Sequence, residues 1–410
     1  MLSIDGVERR KVALITASVV FVVALCGVAG VWAYGNLSPS ASTPQPVVVS
    51  APKPVVTTTS LESRMLVMGD IFFGRYINDW SMKSPLGYAY PFQKLSEFER
   101  ETYDAWIANL ECPVTNNPKV TPAQEEATLA FDCSPNYVPE LKKWFTAVSL
   151  ANNHTDNQGA QVGLDETRQH LATNGVQNFG TFDPEDLDNV CEILSLPARA
   201  QLSDGSEKQG KIPLVWCGYH GVYRTPSASS IAVMQRYASQ FNIVAMPHSG
   251  AEYKPAPDEI KTTFYRALID GGADVVVGGH AHWVQNTEAY KGKLIMYSVG
   301  NFIFDQISSA EVTRSAVLDM TVSAEAAQAS DLDKWLALGE MCATHKDNCL
   351  AAAEQQQLKK LPLKYHFAAL GSNDSGKMVR RATDVELASI KQRLDWAQTI
   401  TGLTGVNSGE

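Results

Sequence analysis

Short runs of apolar residues recur along the chain, and stretches in which apolar positions repeat with helical spacing separate them. Uninterrupted runs of this kind are typical of strands that are buried on both faces. They predict strands at Met65–Met68, Ala105–Ala108, Ala147–Leu150, Leu214–Cys217, Ile243–Met246, Val275–Val277, Leu294–Tyr297, Ser315–Val322 and Leu363–Ala368. The helical spacing predicts helices at Leu164–Asn174, Ile231–Gln240, Pro257–Asp270 and Asp384–Thr399. Strands that alternate with helices predict an α/β fold.

The longest apolar run, Val12–Gly35, contains no charged residue and directly follows three basic residues. It is long enough to cross a hydrocarbon core of about 30 Å. Because basic residues stay on the cytoplasmic side, we expect a cytoplasmic tail at residues 1–11, one transmembrane anchor at residues 12–35 and an extracytoplasmic remainder. This predicts a single-pass protein of the cell membrane. The alternatives are a cleaved signal peptide and a lipoprotein signal at Cys26, which the bulky Leu25 disfavours.

The rest of the chain divides by composition. Residues 36–60 are rich in proline, which favours an extended and semi-rigid stalk. Residues 61–310 hold most of the predicted strands and form the main domain. We expect residues 311–410 to complete the same domain with further strands and helices, and to carry a polar, alanine-rich helical insertion at residues 323–360.

Composition and charge exclude some classes of protein. Of the 410 residues 45% are hydrophobic and 19% are charged, which argues against a disordered chain. The net charge is −10, and because residues 1–58 carry more basic than acidic residues, the remainder is more acidic still. A nucleic-acid partner is therefore not expected. A polyanionic partner would be repelled unless bound metal ions reversed the local field.

The cysteines agree with an extracytoplasmic location. Besides Cys26, the chain has an even number of cysteines, at positions 112, 133, 191, 217, 342 and 349. Outside the cytoplasm such a set indicates disulfides, and pairing of neighbours along the chain is the simplest arrangement, although the connectivity stays open. The alternative is a set of reduced core cysteines in a cytosolic protein. No Cys-x-x-Cys spacing is present.

Polar side chains that can bind metals follow the ends of several predicted strands. These residues are Asp70, Asn109, Glu111, Asn153, His154, His248, His280 and His282. Sites in α/β sheets form at the carboxyl ends of strands. Any one of these residues alone is more simply a loop residue, and Asn153-His154-Thr155 also fits a glycosylation sequence. Together, imidazoles and hard oxygen donors indicate a Mn, Fe or Zn centre.

The same residues lie in segments that resemble successive blocks of the CapA family. The blocks are Gly69–Arg75, Asn109–Glu111, Ala151–His154, Asp156–Gly159, Gly163–Thr167, Pro247–Tyr253, Gly279–His282 and Tyr297–Asp305. This family contains capsule-synthesis proteins associated with poly-γ-glutamate that share the calcineurin-like metallophosphoesterase fold. The resemblance covers about residues 65–306. It implies a four-layer αββα sandwich, after the transmembrane helix, with two divalent metal ions between its sheets.

The resemblance also implies a role for each residue. Asp70 and His282 would bind the first metal, and Glu111 would bridge the two. The second metal would be held by Asn153, His248 and His280.

Other residues would act beside the metals. His154 would face the substrate as a proton donor or transition-state stabiliser, since its ordinary pKa of about 6.5 suits proton transfer. Arg75, Asn109 and Asn301 would support the ligands or contact the substrate, or else would be structural.

The sequence departs from the phosphoesterase pattern at four places. The third position of the Asp-x-His block is Phe72, which removes one ligand from the first metal unless a neighbour such as Asn109 replaces it. The bridging carboxylate is Glu111 instead of Asp. Ser249 and Ala281 stand where the family usually has Trp and Pro. These differences make ordinary phosphoesterase activity doubtful.

Three functions remain open at this point. The first is a membrane-anchored accessory protein of poly-γ-glutamate capsule synthesis or export, whose partner is the anionic polymer or its membrane synthase complex. The second is a free-standing cell-surface metallohydrolase that cleaves a phosphoester or a glutamyl-amide bond. The third is a non-catalytic scaffold that binds the polymer or partner proteins.

Overall fold

The computed structural model describes residues 55–117, 119–327 and 331–405. The predicted tail, the transmembrane anchor and most of the stalk lie outside these ranges. The first strand begins at Thr58, just before the predicted end of the stalk. Among the described helices, none combines the length and the apolar composition that a membrane crossing requires.

The strands, in chain order, are β1 Thr58–Ile71, β2 Ala105–Leu110, β3 Ala147–Ser149, β4 Gln177–Phe179, β5 Cys191–Leu202, β6 Glu207–Gly221, β7 Ile243–Ser249, β8 Val275–Val277, β9 Thr287–Tyr290, β10 Lys293–Met296, β11 Asn301–Ile303, β12 Arg314–Glu325, β13 Lys364–Asn373 and β14 Arg380–Arg381. The helices are α1 Arg75–Lys83, α2 Pro122–Thr128, α3 Val138–Lys142, α4 Gln161–Thr173, α5 Ala228–Ala232, α6 Glu259–Asp270, α7 Ala310–Thr313, α8 Leu332–Thr344, α9 Cys349–Gln355, α10 Asp384–Leu394 and α11 Trp396–Thr401. The predicted α/β class is confirmed.

Every predicted strand overlaps an observed one, while β4, β5, β9, β11 and β14 were not predicted. The predicted helix Ile231–Gln240 is instead the short α5 followed by a 3₁₀ helix at Val233–Arg236. In the described part of the insertion, β12 continues to Glu325 and the first helix is α8.

All strands belong to one 14-stranded mixed sheet that branches at β1. The first half of β1 pairs antiparallel with β5 and β12, and its second half pairs parallel with β2 and β11. From β1, one arm continues through β2, β3 and β4, and another continues through β5, β6, β7, β8, β10 and β9. The strands β6, β7 and β8 are parallel to one another. Parallel pairing brings the carboxyl ends of neighbouring strands to the same edge.

The core lies on both faces of β1. Met65 and Val67 pack into one cluster with residues of β5, β6, β7 and β8, whereas Leu66 and Met68 pack into a second cluster with residues of α1, α3 and α4. Since both faces are buried, β1 shows a continuous apolar run instead of an alternating pattern.

Local signals explain where two helices begin. At the N-cap of α6, the side chain of Asp258 accepts a hydrogen bond from the backbone N–H of Lys261 at 2.8 Å. Thr383 and Glu386 form a reciprocal capping box at the start of α10. These caps satisfy backbone donors that have no partner within the helix.

Three pairs of cysteines lie at disulfide distance. They are Cys112–Cys133, Cys191–Cys217 and Cys342–Cys349, so each cysteine pairs with its neighbour along the chain. The second pair joins β5 to β6 at opposing positions. The first pair lies next to Glu111 and ties the segment after β2 to the segment that contains Phe131. The predicted disulfides are thus confirmed.

Candidate metal centre

The candidate ligands meet where strands of the two arms end. Asp70 lies near the carboxyl end of β1, in register with Asn109 of β2 on one side and Asn301 of β11 on the other. Glu111 directly follows β2, and His248 lies near the end of β7. Strand pairing therefore fixes the backbone of these residues before any metal ion binds.

Glycine allows the strands to approach each other closely. A Cβ on Gly69 would lie 1.7 Å from the carbonyl oxygen of Gly300. A Cβ on Gly279 would lie 3.1 Å from Oδ1 of Asp70 and 3.3 Å from Nδ1 of His248. Gly69 is required because any side chain would clash with the backbone of Gly300, whereas a side chain at Gly279 would crowd Asp70 and His248 and displace them slightly.

The His-x-His segment after β8 has an unusual backbone. His280 has φ of 77° and His282 has φ of 55°, both in the left-handed region that costs a non-glycine residue about 1–3 kcal/mol. Ala281 between them is fully buried. This conformation places both imidazoles at the site, and strain of this kind is concentrated at functional positions.

One group of ligand atoms surrounds Nε2 of His248. That atom lies 2.9 Å from Oδ1 of Asn153, 3.2 Å from Nδ1 of His280 and 3.5 Å from Oε1 of Glu111. Metal–nitrogen and metal–oxygen bonds of about 2.0–2.2 Å allow two ligands of one ion to be up to about 4.2 Å apart. All three distances satisfy this limit, so the group fits a single divalent ion.

A second group shares Glu111 with the first. It consists of Asp70, Glu111 and His282, whose candidate ligand atoms all lie within 4.8 Å of one another. The ring of His282 lies beside Asp70, with 3.8 Å between Nδ1 and Oδ2, although Nδ1 itself is hydrogen-bonded to Asn301 at 2.7 Å. The two groups correspond to the two predicted ligand sets, and Glu111 is the residue that they have in common.

The carboxylates of this centre lack partners for their charge. Asp70 and Glu111 are fully buried, and Oδ2 of Asp70 and both carboxylate oxygens of Glu111 accept no hydrogen bond from the described residues. Burial raises the pKa of Asp70 to about 6 and the pKa of Glu111 well above its ordinary value. Burial also holds the pKa of His248 and of His280 well below the usual range. Neutral imidazoles beside unpartnered carboxylates are what a bound cation requires.

Two asparagines hold the ligands in place. Asn109 donates from Nδ2 to Oδ1 of Asp70 at 2.8 Å, and its Oδ1 accepts from Asn152 at 3.1 Å. Asn301 accepts at Oδ1 from Nδ1 of His282 at 2.7 Å. Through these contacts Asn109 holds the side chain of Asp70, and Asn301 holds the ring of His282.

His154 lies beside the two groups. Its ring stacks on Phe131 with centroids 3.8 Å apart, and its Nδ1 lies 2.9 Å from Oδ1 of Asn157. Because that oxygen also accepts the backbone N–H of Phe131, it is fixed as an acceptor, so Nδ1 of His154 carries the proton. Nε2 is then the free nitrogen, and it lies 3.9 Å from Oε1 of Glu111. Burial lowers the pKa of His154 to about 4, which keeps this nitrogen unprotonated near pH 7.

The sequence profile of the family described as bacterial capsule synthesis protein PGA_cap matches residues 64–306 of the chain. The chain belongs to this family. The match contains every candidate ligand and confirms the resemblance to CapA.

Individual relatives agree with the family match. The PGA biosynthesis protein CapA of Bacillus subtilis is 29% identical over 257 residues, which cover 58% of this chain and 62% of that protein. The capsule biosynthesis protein CapA of Bacillus anthracis is 25% identical over 254 residues, covering 59% and 60%. A probable polyglutamine synthesis accessory protein of Mycobacterium tuberculosis is 26% identical over 247 residues, covering 54% and 61%. The chain thus spans about three fifths of the length of these relatives.

Among solved structures, the protein TT1561 of Thermus thermophilus aligns with a TM-score of 0.34 at 10% sequence identity. The alignment covers 63% of this chain and 94% of that chain. Similarity at this level is too slight to bear on the fold.

Arg75 is tied into the wall of the site. Its guanidinium donates two hydrogen bonds to Asp305, at 2.6 and 2.9 Å, and both side chains are almost fully buried. It also lies over the rings of Phe131 and Phe72, at 4.6 and 5.1 Å from their centroids. Phe72 itself packs against Phe304. The structural interpretation of Arg75 is therefore the better supported one. Phe72, which stands where the phosphoesterase pattern has a histidine, belongs to an aromatic cluster.

A cleft of about 1530 Å³ opens above the centre. His154, His280 and His282 reach it from below. Its walls include several aromatic residues, namely Tyr76, Trp80, Phe131, Tyr223, Tyr253, Trp283 and Phe304. The cleft is large enough for several residues of a polymer chain.

Two residues of the site were not predicted. Asn157 fixes the ring of His154, and Glu252 lies beside His282 with 3.9 Å between Oε1 and Nε2. Glu252 belongs to the block Pro247–Tyr253, so its nearness to His248 in sequence was an available signal. Asn157 likewise belongs to the block Asp156–Gly159, three residues after His154, so a signal was available for it too.

Proposed function

We propose that this CapA-family chain is an accessory protein of capsular poly-γ-glutamate synthesis or export that acts on the polymer through a centre of two divalent ions. The observation that carries the proposal is the pair of ligand groups that share Glu111, whose carboxylate oxygens are buried without a partner among the described residues. The relatives named for capsule and polyglutamate synthesis supply the polymer class. Anchoring in the cell membrane, with the folded part outside, belongs to the same proposal and rests on the run Val12–Gly35.

The proposal includes the four-layer metallophosphoesterase-like arrangement. It is supported by the two hydrophobic clusters on opposite faces of β1 and by the parallel strands whose ends meet at the ligands. In such an arrangement the metal centre lies between the two arms of the sheet. The candidate ligands come from β1 and the segments after β2 and β3 on one arm, and from β7 and the segment after β8 on the other.

Charge explains why a polyanion needs the metal ions. The cleft is lined by the carboxylates of Glu126, Glu252 and Asp305, against the cations Arg75 and Lys377. Asp70 and Glu111 add two further carboxylates beneath it. Two divalent ions would bring four positive charges and reverse the sign of the field at the cleft. Polyglutamate would then be attracted where it is otherwise repelled.

A second candidate function is a metallohydrolase that cleaves a glutamyl-amide or phosphoester bond. The position of His154 favours it, because Nε2 faces both the cleft and Glu111. Two bound divalent ions supply a hydroxide nucleophile near neutral pH. His154 would accept a proton at Nε2 and return it to the leaving group. Asn157 would keep the ring in the required tautomer.

One preparation tests both proposals. The full-length chain, extracted in detergent, is analysed for bound Mn, Fe and Zn and is assayed for shortening of poly-γ-glutamate and for phosphoester hydrolysis. We expect two ions per chain. The hydrolase candidate predicts cleavage that the substitution Glu111→Gln abolishes and that Glu62→Gln, at an exposed ion pair, leaves intact. Metal without turnover would reject the hydrolase and leave the accessory role. A chain that binds no metal would reject both and favour the non-catalytic scaffold.

A further inference from the structure

The two ligand groups are unequal. Glu111, Asn153, His248 and His280 give one ion four protein ligands, whereas Asp70, Glu111 and His282 give the other only three. The difference arises because Phe72 occupies the position of a histidine and packs into the aromatic cluster. The first site therefore has an open position that a further donor from the chain can occupy.

Asn109 does not supply that donor. Its Oδ1 accepts from Nδ2 of Asn152, which is itself fixed because it also donates to the carbonyl of Leu110 at 2.9 Å. Nδ2 of Asn109 is consequently the atom that faces Asp70. An amide nitrogen is a donor and cannot bind a cation.

Asn301 is also committed to another contact. Its Oδ1 accepts from Nδ1 of His282, while its Nδ2 faces Oε1 of Gln306 and the carbonyl of Val312. This contact fixes the proton of His282 on Nδ1, so Nε2 is the nitrogen that is free to bind a metal.

Glu252 is the carboxylate beside that free nitrogen. Its Oε1 lies 3.9 Å from Nε2 of His282, within the separation of about 4.2 Å that two ligands of one ion can have. No lysine or arginine of the described ranges lies within ion-pair distance of it. Glu252 is close enough to the centre that its charge helps to raise the pKa of Glu111.

The segment that carries Glu252 is attached to the His-x-His segment. The backbone N–H of Tyr253 donates to the carbonyl of Ala281 at 2.9 Å, and the ring of Tyr253 stacks on His282. Gly250, with φ of 96°, makes the turn that brings the segment back toward the site. The position of Glu252 relative to His282 is thus set by the fold.

We infer that Glu252 completes the first metal site in place of the histidine that Phe72 replaces. This inference rests on the proposed two-metal centre. It makes the first site the weaker and more solvent-accessible of the two, because Glu252 is partly exposed while every other ligand is buried.

The test is titration of the metal-free full-length chain with Mn²⁺, monitored by calorimetry and by electron paramagnetic resonance of the coupled ions. We expect two ions in the wild type. Glu252→Gln should keep the tight ion and weaken the other by at least the roughly 10–100-fold that loss of a supporting residue costs. Glu126→Gln removes an equal charge from the cleft and should bind as the wild type does. Melting temperatures of the metal-free proteins check that each variant folds.

The outcomes separate the two proposals. A wild type that binds no Mn²⁺ rejects the metal centre itself. If Glu252→Gln binds two ions with unchanged affinity, only the role of Glu252 is rejected. The same holds if Glu126→Gln loses as much Mn²⁺ affinity as Glu252→Gln does. Loss of both ions from folded Glu252→Gln, or a wild type with a single ion, also overturns the inference.

Discussion

Nε2 of His154 lies 3.9 Å from Oε1 of Glu111, close to the centre but outside both ligand groups. What distinguishes His154 is its stacking on Phe131 and its absence from both groups, since the distance alone lies within the limit of about 4.2 Å for two ligands of one ion. This difference implies that substitution can separate the histidines that bind metal from His154, which would transfer protons.

The first prediction concerns this separation. His248→Ala and His280→Ala should lose bound metal and melt at a lower temperature, because a bound ion stabilises the folded state by mass action. His154→Ala should retain metal and lose any activity by roughly 10²–10⁴-fold. Metal content and melting temperature are measured together for the three variants.

Chelation provides the control for that experiment. The difference in melting temperature between the wild type and the two ligand variants should shrink once the ion is removed. If His154→Ala loses as much metal as His248→Ala, the assigned roles are wrong.

The second prediction concerns the buried charge of Asp70. Burial raises its pKa from 3.8 to about 6, so its contribution to stability is fully present below about pH 4 and is lost as the pH rises through about 6. In the metal-free chain, Asp70→Asn should therefore stabilise the fold at pH 7.5 by about 3 kcal/mol. Urea unfolding in the presence of a chelator measures this difference.

The same substitution should have the opposite effect when metal is present. With excess Mn²⁺, Asp70→Asn should be less stable than the wild type, since it removes a ligand. Near pH 4, without metal, the two proteins should be alike because Asp70 is then protonated. An Asp70→Asn variant that is less stable without metal at pH 7.5 would contradict the metal-site interpretation.

The third prediction concerns the buried ion pair of Arg75 and Asp305. Asp305→Ala leaves the guanidinium buried without its partner, which should lower the free energy of unfolding by about 3–5 kcal/mol. Lys83→Ala removes an exposed pair with Asp79 and should cost less than about 1 kcal/mol. Comparable losses in the two variants would show that burial of the first pair is not decisive.

The fourth prediction concerns the disulfides. Thiol counting on the denatured, unreduced protein should find none of the six paired cysteines free. Loss of the Cys112–Cys133 disulfide through Cys112→Ser should destabilise the fold by about 2–5 kcal/mol. It should also weaken metal binding, since Cys112 directly follows Glu111. Six reactive thiols in protein isolated from its native compartment would refute the pairing.

The fifth prediction concerns the proposed anchor at Val12–Gly35. The full-length protein should stay in the membrane fraction after a high-salt wash, whereas a chain that begins at Val55 should be recovered in the soluble fraction. Recovery of a mature form without residues 1–35 from the culture medium would favour the cleaved signal peptide.

The sequence predicted the strands with a continuous apolar run, and it missed several very short strands and also β5, whose run is interrupted by Ser195 and Pro197. Strands such as β2 and β8 have apolar residues at most or all positions and are recognisable without a partner. By contrast, β4 and β11 are three residues long and are defined by their pairing with β3 and β1. Their hydrogen bonds depend on contacts between distant parts of the chain, which local patterns do not contain.

The ligands were predicted because each follows a strand end within a family block. Glu252 was not predicted as a site residue, because its place beside His282 depends on the turn at Gly250 and on the bond from Tyr253 to Ala281. The hydrogen bond between Asn152 and Asn109 could not be predicted either, since the orientation of an amide follows from its hydrogen-bond partners. The sequence pattern thus predicted most of the residues that belong to the site. Only the fold showed which of their atoms face the metal centre.

The position of β1 also has a mechanical consequence. A pull on the chain before Thr58 acts along β1, whose first half is hydrogen-bonded on both sides to antiparallel neighbours. Such bonds run perpendicular to the strand, so a load along it must shear many of them at once instead of peeling them one by one. Asp70 lies at the far end of the same strand. Tension from a tethered N-terminal segment would be resisted by these bonds before it reached Asp70.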